Sequence, residues 1–170
     1  MSFLNLAKQR CSIRAYEPTP VKPEEIATIV EAARVAPTAA NRQPVRIIQV
    51  ESEDGLAKLA RGANFYGAPL AFIVCADAER AWKRPVDGMV STDIDASIVC
   101  DHMMLAAADL GLGSLWICGF DPATVREAFD LPASLIPVNI LAVGHAAGDW
   151  KSPNRHATDR IPLDELVTKA

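Results

Sequence analysis

Residues 96–118 spell "ASIVCDHMMLAAADLGLGSLWIC", and this stretch decides much of the fold. Its first part carries apolar residues at helical spacing, which predicts a long helix that begins near Asp93 or Asp95. Gly111 follows the last apolar turn and is the expected C-terminal cap. Residues 114–118 form a short apolar run, and this pattern predicts a strand. A helix, a tight turn and a strand therefore follow one another directly.

Other helix and strand patterns lie on both sides of this unit. "VRIIQV" (45–50) and "VNILAVG" (138–144) predict two strands, and "LAFIVCA" (70–76) is apolar throughout, as expected for a strand buried on both faces. Helical patterns fill other segments: a helix capped by Ser2 that runs to about Gln9, one from about Pro23 to Ala36, and short helices at 54–61 and 122–129. The tail from Ala147 is polar until "PLDELV" (162–167). The alternation of helices with strands predicts one α/β-type layered domain over residues 1–170.

The composition fits a globular domain and argues against two classes of partner. Half of the 170 residues are hydrophobic and 22% are charged, a balance typical of folded domains. The formal net charge is −4 and the sequence pI is near 5.4, which argues against a general nucleic-acid binder and leaves room for a local basic pocket. No apolar run approaches the length of a membrane span, so we expect no membrane partner.

The cysteines and histidines show no pattern of metal ligands. Four cysteines and three histidines are scattered along the chain, whereas zinc ligands normally come in pairs a few residues apart. We therefore expect no metal. No secretory leader opens the sequence, so a cytoplasmic protein with reduced thiols is the expectation.

The segment "RCSIRAY" (10–16) places two arginines four positions apart. If the segment is extended, its side chains alternate, so that Arg10, Ser12 and Arg14 share a polar face opposite an apolar one. The planar guanidinium groups of the arginines and the serine hydroxyl can donate hydrogen bonds to the oxygens of a phosphate. The alternative is a pair of solvated arginines without a ligand.

Two further stretches could line a ligand site. "APTAANRQP" (36–44) combines small side chains with Asn41 and Gln43, so a flat ligand could approach the backbone and meet both donors and acceptors. In "GLGSLWICGF" (111–120), Gly119 ends a strand, which is where α/β sheets gather ligands. The "GLG" here ends a helix, so it is not a dinucleotide fingerprint. The alternatives are an ordinary loop and a capped helix with a buried strand.

Three individual side chains receive no catalytic role from their spacing. Cys118 would need a base to act as a nucleophile, and no His or Asp stands at a recognisable distance along the chain. Asp93 and Asp95 stand two positions apart at the start of the long helix. We expect them to cap that helix rather than to form an acid–base pair.

Taken in order, these stretches resemble the nitroreductase family of FMN-dependent oxidoreductases over nearly the whole chain. "RCSIRAY" is similar to the family's R-x-S-x-R, and "APTAANRQPVRIIQV" to its A-P-S-x-x-N-x-Q-P-W followed by a strand. "DASIVCDHMMLAAADLGLGSLWICGF" is similar to its central helix, G-L-G turn and flavin-side strand, and "DRIPLDELV" to its terminal R-x-P-L-x-E-I-V. Each motif alone is weak, whereas four in the same order indicate the family.

The resemblance implies how the first segment and the tail bind FMN. Arg10 and Ser12 would bind the phosphate, and Arg160 would join them from the tail. Arg14 would lie toward the ribityl and pyrimidine side, where a cation stabilises the reduced flavin.

The resemblance also implies two segments that meet the flavin ring. Three residues would reach the flavin from the second subunit: Pro37, Thr38 and Asn41. Three residues at the strand end would approach flavin N5 and the dimethylbenzene edge with their backbone: Ile117, Cys118 and Gly119. Flavin N5 would carry the chemistry, so we expect no catalytic side chain and a role for Cys118 through its amide N–H.

The implied fold is α+β, with a mixed sheet flanked by helices, in an intertwined homodimer that holds FMN at the subunit interface. The implied reaction is ping-pong: NADH or NADPH gives hydride to FMN and leaves, then a small acceptor such as a nitroaromatic compound or a quinone takes the electrons. Alternatives are an FMN-binding carrier or redox sensor without significant turnover, a dehalogenating or dehydrogenating member of the same family, and a fold that binds no flavin.

The chain departs from the family pattern at several positions. Thr158 stands where a phosphate-binding lysine is common, so Arg160 would compensate, with Arg155 as a further candidate. Asn64 is a loose match to an asparagine that contacts the flavin. The excursion that often covers the active site is reduced or absent, and residues 78–92, a charged connection that contains Trp82, are the candidate replacement.

Overall fold

The order of helices and strands in the computed structural model, which describes residues 1–170, is the predicted one up to residue 144, and a short helix in the tail follows. The helices are α1 (Phe3–Gln9), α2 (Pro23–Val35), α3 (Glu53–Ala60), α4 (Thr92–Asp109), α5 (Pro122–Ala128) and α6 (Leu163–Leu166). The strands are β1 (Val45–Val50), β2 (Leu70–Asp77), β3 (Gly113–Ile117) and β4 (Leu135–Gly144). Short 3₁₀ turns cover Ala39–Asn41 and Pro153–Ala157.

The four strands form one sheet in the order β1-β2-β4-β3, and all three neighbouring pairs are antiparallel. The α/β-type arrangement expected from the alternation is therefore wrong, and the α+β class implied by the family resemblance is confirmed. β2 precedes α4 in the chain and β3 follows it, and these two strands run in the same direction. In the sheet, however, β4 lies between them. The one parallel pairing is the isolated bridge between Ser12 and Ser114, outside the four strands, so the sheet itself is antiparallel and not the expected mixed one.

β2 is buried on both faces although its neighbours are antiparallel. Every residue from Leu70 to Ala76 is at most 1% exposed. Phe72 and Val74 pack in a cluster with residues of α2 and α4, whereas Ala71 and Ile73 pack on the other face with residues of α3 and α5. The continuous apolar run therefore follows from helices on both sides of the sheet, not from parallel strands.

A turn at Gly111 terminates α4, as predicted. The N–H of Leu112 donates to the carbonyl oxygen of Ala107 at 2.9 Å, and the N–H of Gly111 donates to that of Ala108 at 3.1 Å. This pair of bonds is a Schellman motif, which needs the left-handed φ of 77° that Gly111 adopts without strain. The turn reverses the chain and starts β3 directly after the helix.

Two peripheral elements lie outside the core. No residue of α1 is buried, and no residue after Gly144 is buried. α1 exposes Phe3 and Leu4, and the tail exposes Leu163 and Leu166. None of the helices combines the length and the apolar character needed to cross a membrane. No three His, Cys, Asp or Glu side chains are arranged to hold a metal ion.

Candidate functional site

The segment from residue 10 to residue 16 is extended and lies against β3. Ser12 and Ser114 form a parallel bridge, and the N–H of Ile13 donates to the carbonyl oxygen of Ser114 at 3.0 Å. Cys11 and Ile13 are buried, whereas the side chains that alternate with them are exposed or half-buried. The predicted extended conformation is therefore confirmed, with a polar face turned away from the core.

The parallel bridge sets the register of this segment along the strand. Because Ser12 is level with Ser114, Arg10 lies near the turn that precedes β3. The segment then leaves the strand, because Tyr16 forms its bridge with Ala146, beyond Gly144, the partner of the first residue of β3. Four steps of extended chain separate Arg10 from Arg14, about 13 Å. A polar strip, formed by Arg10, Ser12 and Arg14, therefore lies beside the first part of β3.

Three arginines come together at the Arg10 end of this polar strip. Half-burial is the main cause that lowers the pKa of the Arg10 guanidinium, followed by the charge of Arg155 and, more weakly, that of Arg160. None of the three forms an ion pair with a carboxylate. Since a guanidinium stays protonated in a protein, the cluster is an excess of positive charge that attracts an anion.

Arg155 holds this cluster in place through the backbone. Its Nη2 donates to the carbonyl oxygen of Arg10 at 2.6 Å, and its Nη1 donates to those of Lys8 and Ser152 at 3.2 and 2.9 Å. The Arg160 side chain donates only to the carbonyl oxygen of the preceding residue. Arg155 therefore positions Arg10, and Arg160 keeps donors available for a ligand.

β3 ends in an open backbone. Ile117 is buried, whereas Cys118 and Gly119 are exposed. Neither Cys118 nor Gly119 uses its N–H in a backbone hydrogen bond. A Cβ atom built on Gly119 would meet no atom within 4 Å, so the space in front of it is open. Two free donors beside open space can receive the acceptor atoms of a flat ligand.

The thiol of Cys118 has Asn139 as its hydrogen-bond partner. Its Sγ lies 3.6 Å from Oδ1 of Asn139, and the same oxygen accepts a 2.8 Å bond from Nε1 of Trp116. Asn139 is only 2% exposed, and its Nδ2 has no partner. An amide oxygen is not a base for a thiol, which agrees with a role for Cys118 through its backbone.

The loop before β2 flanks the strand end. Ala63 and Phe120 form an antiparallel bridge, which brings Asn64 next to the last residues of β3. Oδ1 of Asn64 accepts from the N–H of Tyr66 at 3.0 Å and stabilises a turn in which Tyr66 has a φ of 58°. The guanidinium carbon of Arg14 lies 6.0 Å from the centre of the Tyr66 ring. The aromatic ring therefore helps to hold Arg14 at this end of the polar strip.

Pro37–Asn41 lies at the opposite edge of the sheet from these groups. It precedes β1, and β1 and β3 are the two edge strands. Three inter-strand spacings separate the edges, about 14 Å. One chain thus brings Arg10, Arg14 and the end of β3 together, but it does not bring Thr38 or Asn41 to them.

This distant segment has a strained backbone. Ala40, Asn41 and Gln43 have φ angles of 49°, 52° and 50°, in the left-handed region that costs a non-glycine residue about 1–2 kcal/mol. Oγ1 of Thr38 accepts from the N–H of Gln43 at 3.0 Å. Such strain persists only where the surrounding structure imposes it, and it is concentrated at functional sites.

Asp95 supports the strained segment. Its Oδ1 accepts from the N–H of Ala39 and its Oδ2 from the hydroxyl of Ser91, both at 2.7 Å, and Asp95 is fully buried. The prediction that Asp95 caps α4 is wrong, because Ser91 occupies the N-cap position and the Asp95 side chain turns to another loop. The sequence already indicates that Asp95 is buried, because it shares the core-facing side of the helix with Val99, four positions further on.

The connection between β2 and α4 folds back as a hairpin instead of staying irregular. Lys83 and Val90 form an antiparallel bridge, and the N–H of Ser91 donates to the carbonyl oxygen of Trp82 at 2.9 Å. Val86 at its tip is 87% exposed. Because β2 and β3 run in the same direction, the hairpin projects from the end of the sheet at which β3 stops. The connection therefore stays the candidate replacement for a covering excursion.

A strand with a cluster of cations beside its start and free backbone donors after its end is the layout of a protein that binds an elongated anion. The sequence model of the Nitroreductase family matches residues 7–63 and 56–145. These ranges cover most of the chain, which belongs to the nitroreductase family.

Solved structures and a curated relative agree with this assignment. The crystal structure of a nitroreductase family protein from Clostridium difficile 630 is 48% identical, with a TM-score of 0.97, and the match covers 99% of this chain and 98% of that one. An FMN-dependent nitroreductase from Clostridium difficile R20291 is 27% identical, with a TM-score of 0.81, over 98% of both chains. The FMN reductase (NAD(P)H) of Bacillus subtilis is 32% identical, over 92% of this chain and 74% of its own length. The predicted family and fold are confirmed.

Proposed function

We propose that the chain is an FMN-dependent oxidoreductase that takes hydride from NADH or NADPH and reduces a small acceptor, such as a nitroaromatic compound or a quinone, with ping-pong kinetics. The observation that carries the proposal is the pair of features at the two ends of β3: the arginine cluster of the polar strip beside the turn before the strand, and two free N–H groups after its last residue. FMN has the matching layout: a phosphate at one end and a flat ring with hydrogen-bonding edges at the other. One relative that depends on FMN and another named as an FMN reductase support the same cofactor.

The residues at the phosphate end fit an anion. Arg10, Ser12 and Arg160 would hold the phosphate, and Arg155 would keep the Arg10 backbone in position. Arg10 is half-buried and has no carboxylate partner, so an anionic ligand would offset a charge that the protein leaves uncompensated. Each charge-assisted contact to the phosphate would contribute about 1.5–3 kcal/mol.

The residues at the other end would orient the ring. The N–H groups of Cys118 and Gly119 would meet its acceptor atoms, and Arg14 would stabilise the negative charge of the reduced form. FMN, when bound, supplies the hydride chemistry at its N5 atom. No side chain at the strand end is placed beside a base or an acid, so the chain's own part is to bind, to orient and to stabilise charge.

The proposed working unit is a homodimer. Thr38 and Asn41 precede β1, at the opposite edge of the sheet from the polar strip of their own chain, so a twofold axis would let them complete the site of a second copy. Exposed apolar side chains supply surface for the contact: Phe3 and Leu4 in α1, and Ile161, Leu163, Leu166 and Val167 in the tail. Large apolar side chains that are exposed in the single chain can be buried in a contact between proteins.

The thiols favour a reducing compartment. All four cysteines are free, and Cys118 is exposed. Since an exposed thiol is readily oxidised or paired in an oxidising environment, the cytoplasm is the proposed location.

Two measurements test the proposed function. The purified protein should carry, or take up, one FMN per chain, as seen in its visible absorption spectrum. Anaerobic assays should then show NAD(P)H oxidation that depends on an added nitroaromatic compound or quinone, with the parallel double-reciprocal plots of a ping-pong mechanism. A loaded protein without turnover would instead be a carrier or a redox sensor. A protein that takes up no FMN would contradict the proposal.

A further inference from the structure

A second cationic site lies away from the polar strip. A cavity of about 240 Å³ opens beside the start of β1, near the last turn of α2 and the end of β2. Three arginines line it, Arg34, Arg46 and Arg80, and none of the lining residues is acidic. In a chain with a net charge of −4, three guanidiniums around one cavity indicate an anionic ligand. We call this site the arginine cavity.

The three arginines of the arginine cavity are not equally free. Arg34 pairs with Glu31 on the same helix, so its charge is largely offset. Arg46 is held in one orientation, because its Nη1 donates to two backbone carbonyl oxygens at 3.2 and 2.8 Å, and its other N–H groups remain available. Arg80 makes no ion pair with any carboxylate. The cavity therefore offers one fixed guanidinium and one unrestrained guanidinium.

The cavity also has an apolar wall. Its apolar lining residues are Ala33, Ala36, Val45 and Val99. An inorganic ion would use only the cationic rim, whereas an organic phosphate would use both the rim and the wall. The volume is below the roughly 300–1,000 Å³ of sites for drug-sized ligands, so the cavity suits one end of a longer molecule.

The cavity adjoins the segment that we place at the flavin of a second copy. Thr38 and Gln43 complete its lining, and Asn41 lies between them in the chain. A molecule that reacts at that flavin would therefore find the arginine cavity as a neighbouring cationic surface.

We infer that the arginine cavity binds phosphate groups of the pyridine dinucleotide that donates hydride. The inference rests on the proposed function, which supplies the donor. NADH and NADPH both carry a diphosphate, and NADPH carries one phosphate more, whereas acceptors such as quinones need carry no charge. The fork of Arg46 and the free side chain of Arg80 suit phosphate oxygens.

The experiment compares Arg46→Ala, Arg80→Ala and the double variant with Arg61→Ala. Arg61 lies at the end of α3, with Glu127 as its charged partner at 3.5 Å, so this control removes the same charge from another surface. KM is measured for NADH and for NADPH on the FMN-loaded protein at low ionic strength, because salt screens such contacts. Calorimetry measures the binding of inorganic pyrophosphate to the same samples, in which FMN occupies the other arginine cluster.

The expected result is a rise in donor KM of about tenfold or more in each single variant, since each loses a charge-assisted contact. Pyrophosphate binding should weaken in parallel, and Arg61→Ala should match the parent. An equal rise for NADH and NADPH assigns the cavity to the diphosphate. A rise for NADPH alone assigns it to the additional phosphate. Either outcome supports the inference.

Two outcomes would overturn the inference. One is an unchanged donor KM with unchanged pyrophosphate binding in the double variant. The other is a raised KM for a nitrobenzoate acceptor with an unchanged donor KM, because the cavity would then bind the acceptor. If the parent protein takes up no FMN or oxidises no donor, the proposed function fails, and pyrophosphate titration of the variants still decides whether the cavity binds phosphate.

Discussion

Asp95 and Ala39, 56 positions apart in the chain, are joined by a 2.7 Å hydrogen bond between a buried carboxylate and a backbone N–H. The other oxygen of the same carboxylate accepts from the hydroxyl of Ser91. One side chain therefore ties the base of the hairpin to the strained segment that carries Asn41. This bond connects two loops that the sheet alone would leave independent.

Replacement of Asp95 by Ala should lower the free energy of unfolding by about 2–4 kcal/mol, because two donors lose a charged acceptor. It should also weaken FMN binding, since the strained segment loses its support. Asp95→Asn keeps an oxygen for the N–H of Ala39 and should restore most of both losses. Urea unfolding and FMN titration measure the two effects. Asp93→Ala, at an exposed position in the same turn, is the control, and equal losses at both positions would contradict this role for Asp95.

Replacement of Arg10 or Arg160 by Ala should weaken FMN binding about tenfold or more, because each side chain would lose a charge-assisted contact to the phosphate. Riboflavin lacks the phosphate, so its affinity should change far less. Fluorescence titration of both flavins into the apoprotein measures the difference. Equal losses for FMN and riboflavin would show that these arginines do not recognise the phosphate.

Replacement of Leu163 and Leu166 by Asp should weaken the dimer, because both side chains are exposed in the single chain and charged groups are unfavourable in an apolar contact. Sedimentation should find a dimer for the parent, more resistant to dissociation with FMN bound. The double variant should dissociate at higher concentrations than the parent. Thr168→Asp adds charge to the same tail and is the control. A parent that is a stable monomer with stoichiometric FMN would refute the proposed assembly.

Replacement of Cys118 by Ala should leave FMN binding and the rate of reduction by NAD(P)H within a few-fold of the parent, a change of about 1 kcal/mol or less in the barrier. The substitution removes the sulfur and keeps the N–H. Cys118→Pro removes that donor and should strongly impair FMN binding and reduction. Stopped-flow reduction of the two variants separates the roles. An Ala variant that holds FMN but is not reduced would mean that the thiol takes part.

Stability should fall in alkaline solution. Burial raises the pKa of the Cys75 thiol to about 12 from an ordinary value of 9.0, and burial also raises the pKa values of Cys100 and Tyr16. The folded chain keeps these protons while the unfolded chain loses them. Their contribution is therefore fully present below about pH 9 and is lost as the pH rises toward 12.

Urea unfolding at several pH values measures this fall. Cys75→Ala removes one of the three groups and should flatten the alkaline decline, whatever its effect on stability at neutral pH. If the free energy of unfolding falls with pH equally in the parent and the variant, Cys75 does not contribute to the alkaline decline.

Local patterns were enough to predict the helices, the strands and the conformation of the Arg10–Tyr16 segment. The alternation of buried Cys11 and Ile13 with polar neighbours depends only on the period of an extended chain, so it is visible in a few residues. The Schellman turn at Gly111 depends on one residue type at one position. Each of these features is determined within a single turn or strand.

The remaining features depend on partners that are distant in the chain. The insertion of β4 between β2 and β3 is decided by pairing across the whole sheet, and no local pattern contains it. Acidic residues usually favour the first turn of a helix, so the local rule gave Asp95 the wrong role when its partner was Ala39. The role of Arg155 likewise depends on distant partners, since its acceptors include the carbonyl oxygens of Lys8 and Arg10.

The place of β4 in the sheet also fixes an order of events during synthesis of the chain. β3 has no neighbouring strand until β4 has been made, and the Arg10–Tyr16 segment rests on β3 and, through Tyr16, on Ala146. Contacts between such distant residues form late in folding. Arg10, which we assign to the phosphate, thus leaves the ribosome before β3 and β4 are made and reaches its place only after them. A growing chain therefore has no complete phosphate site until β4 and Arg160 have been made.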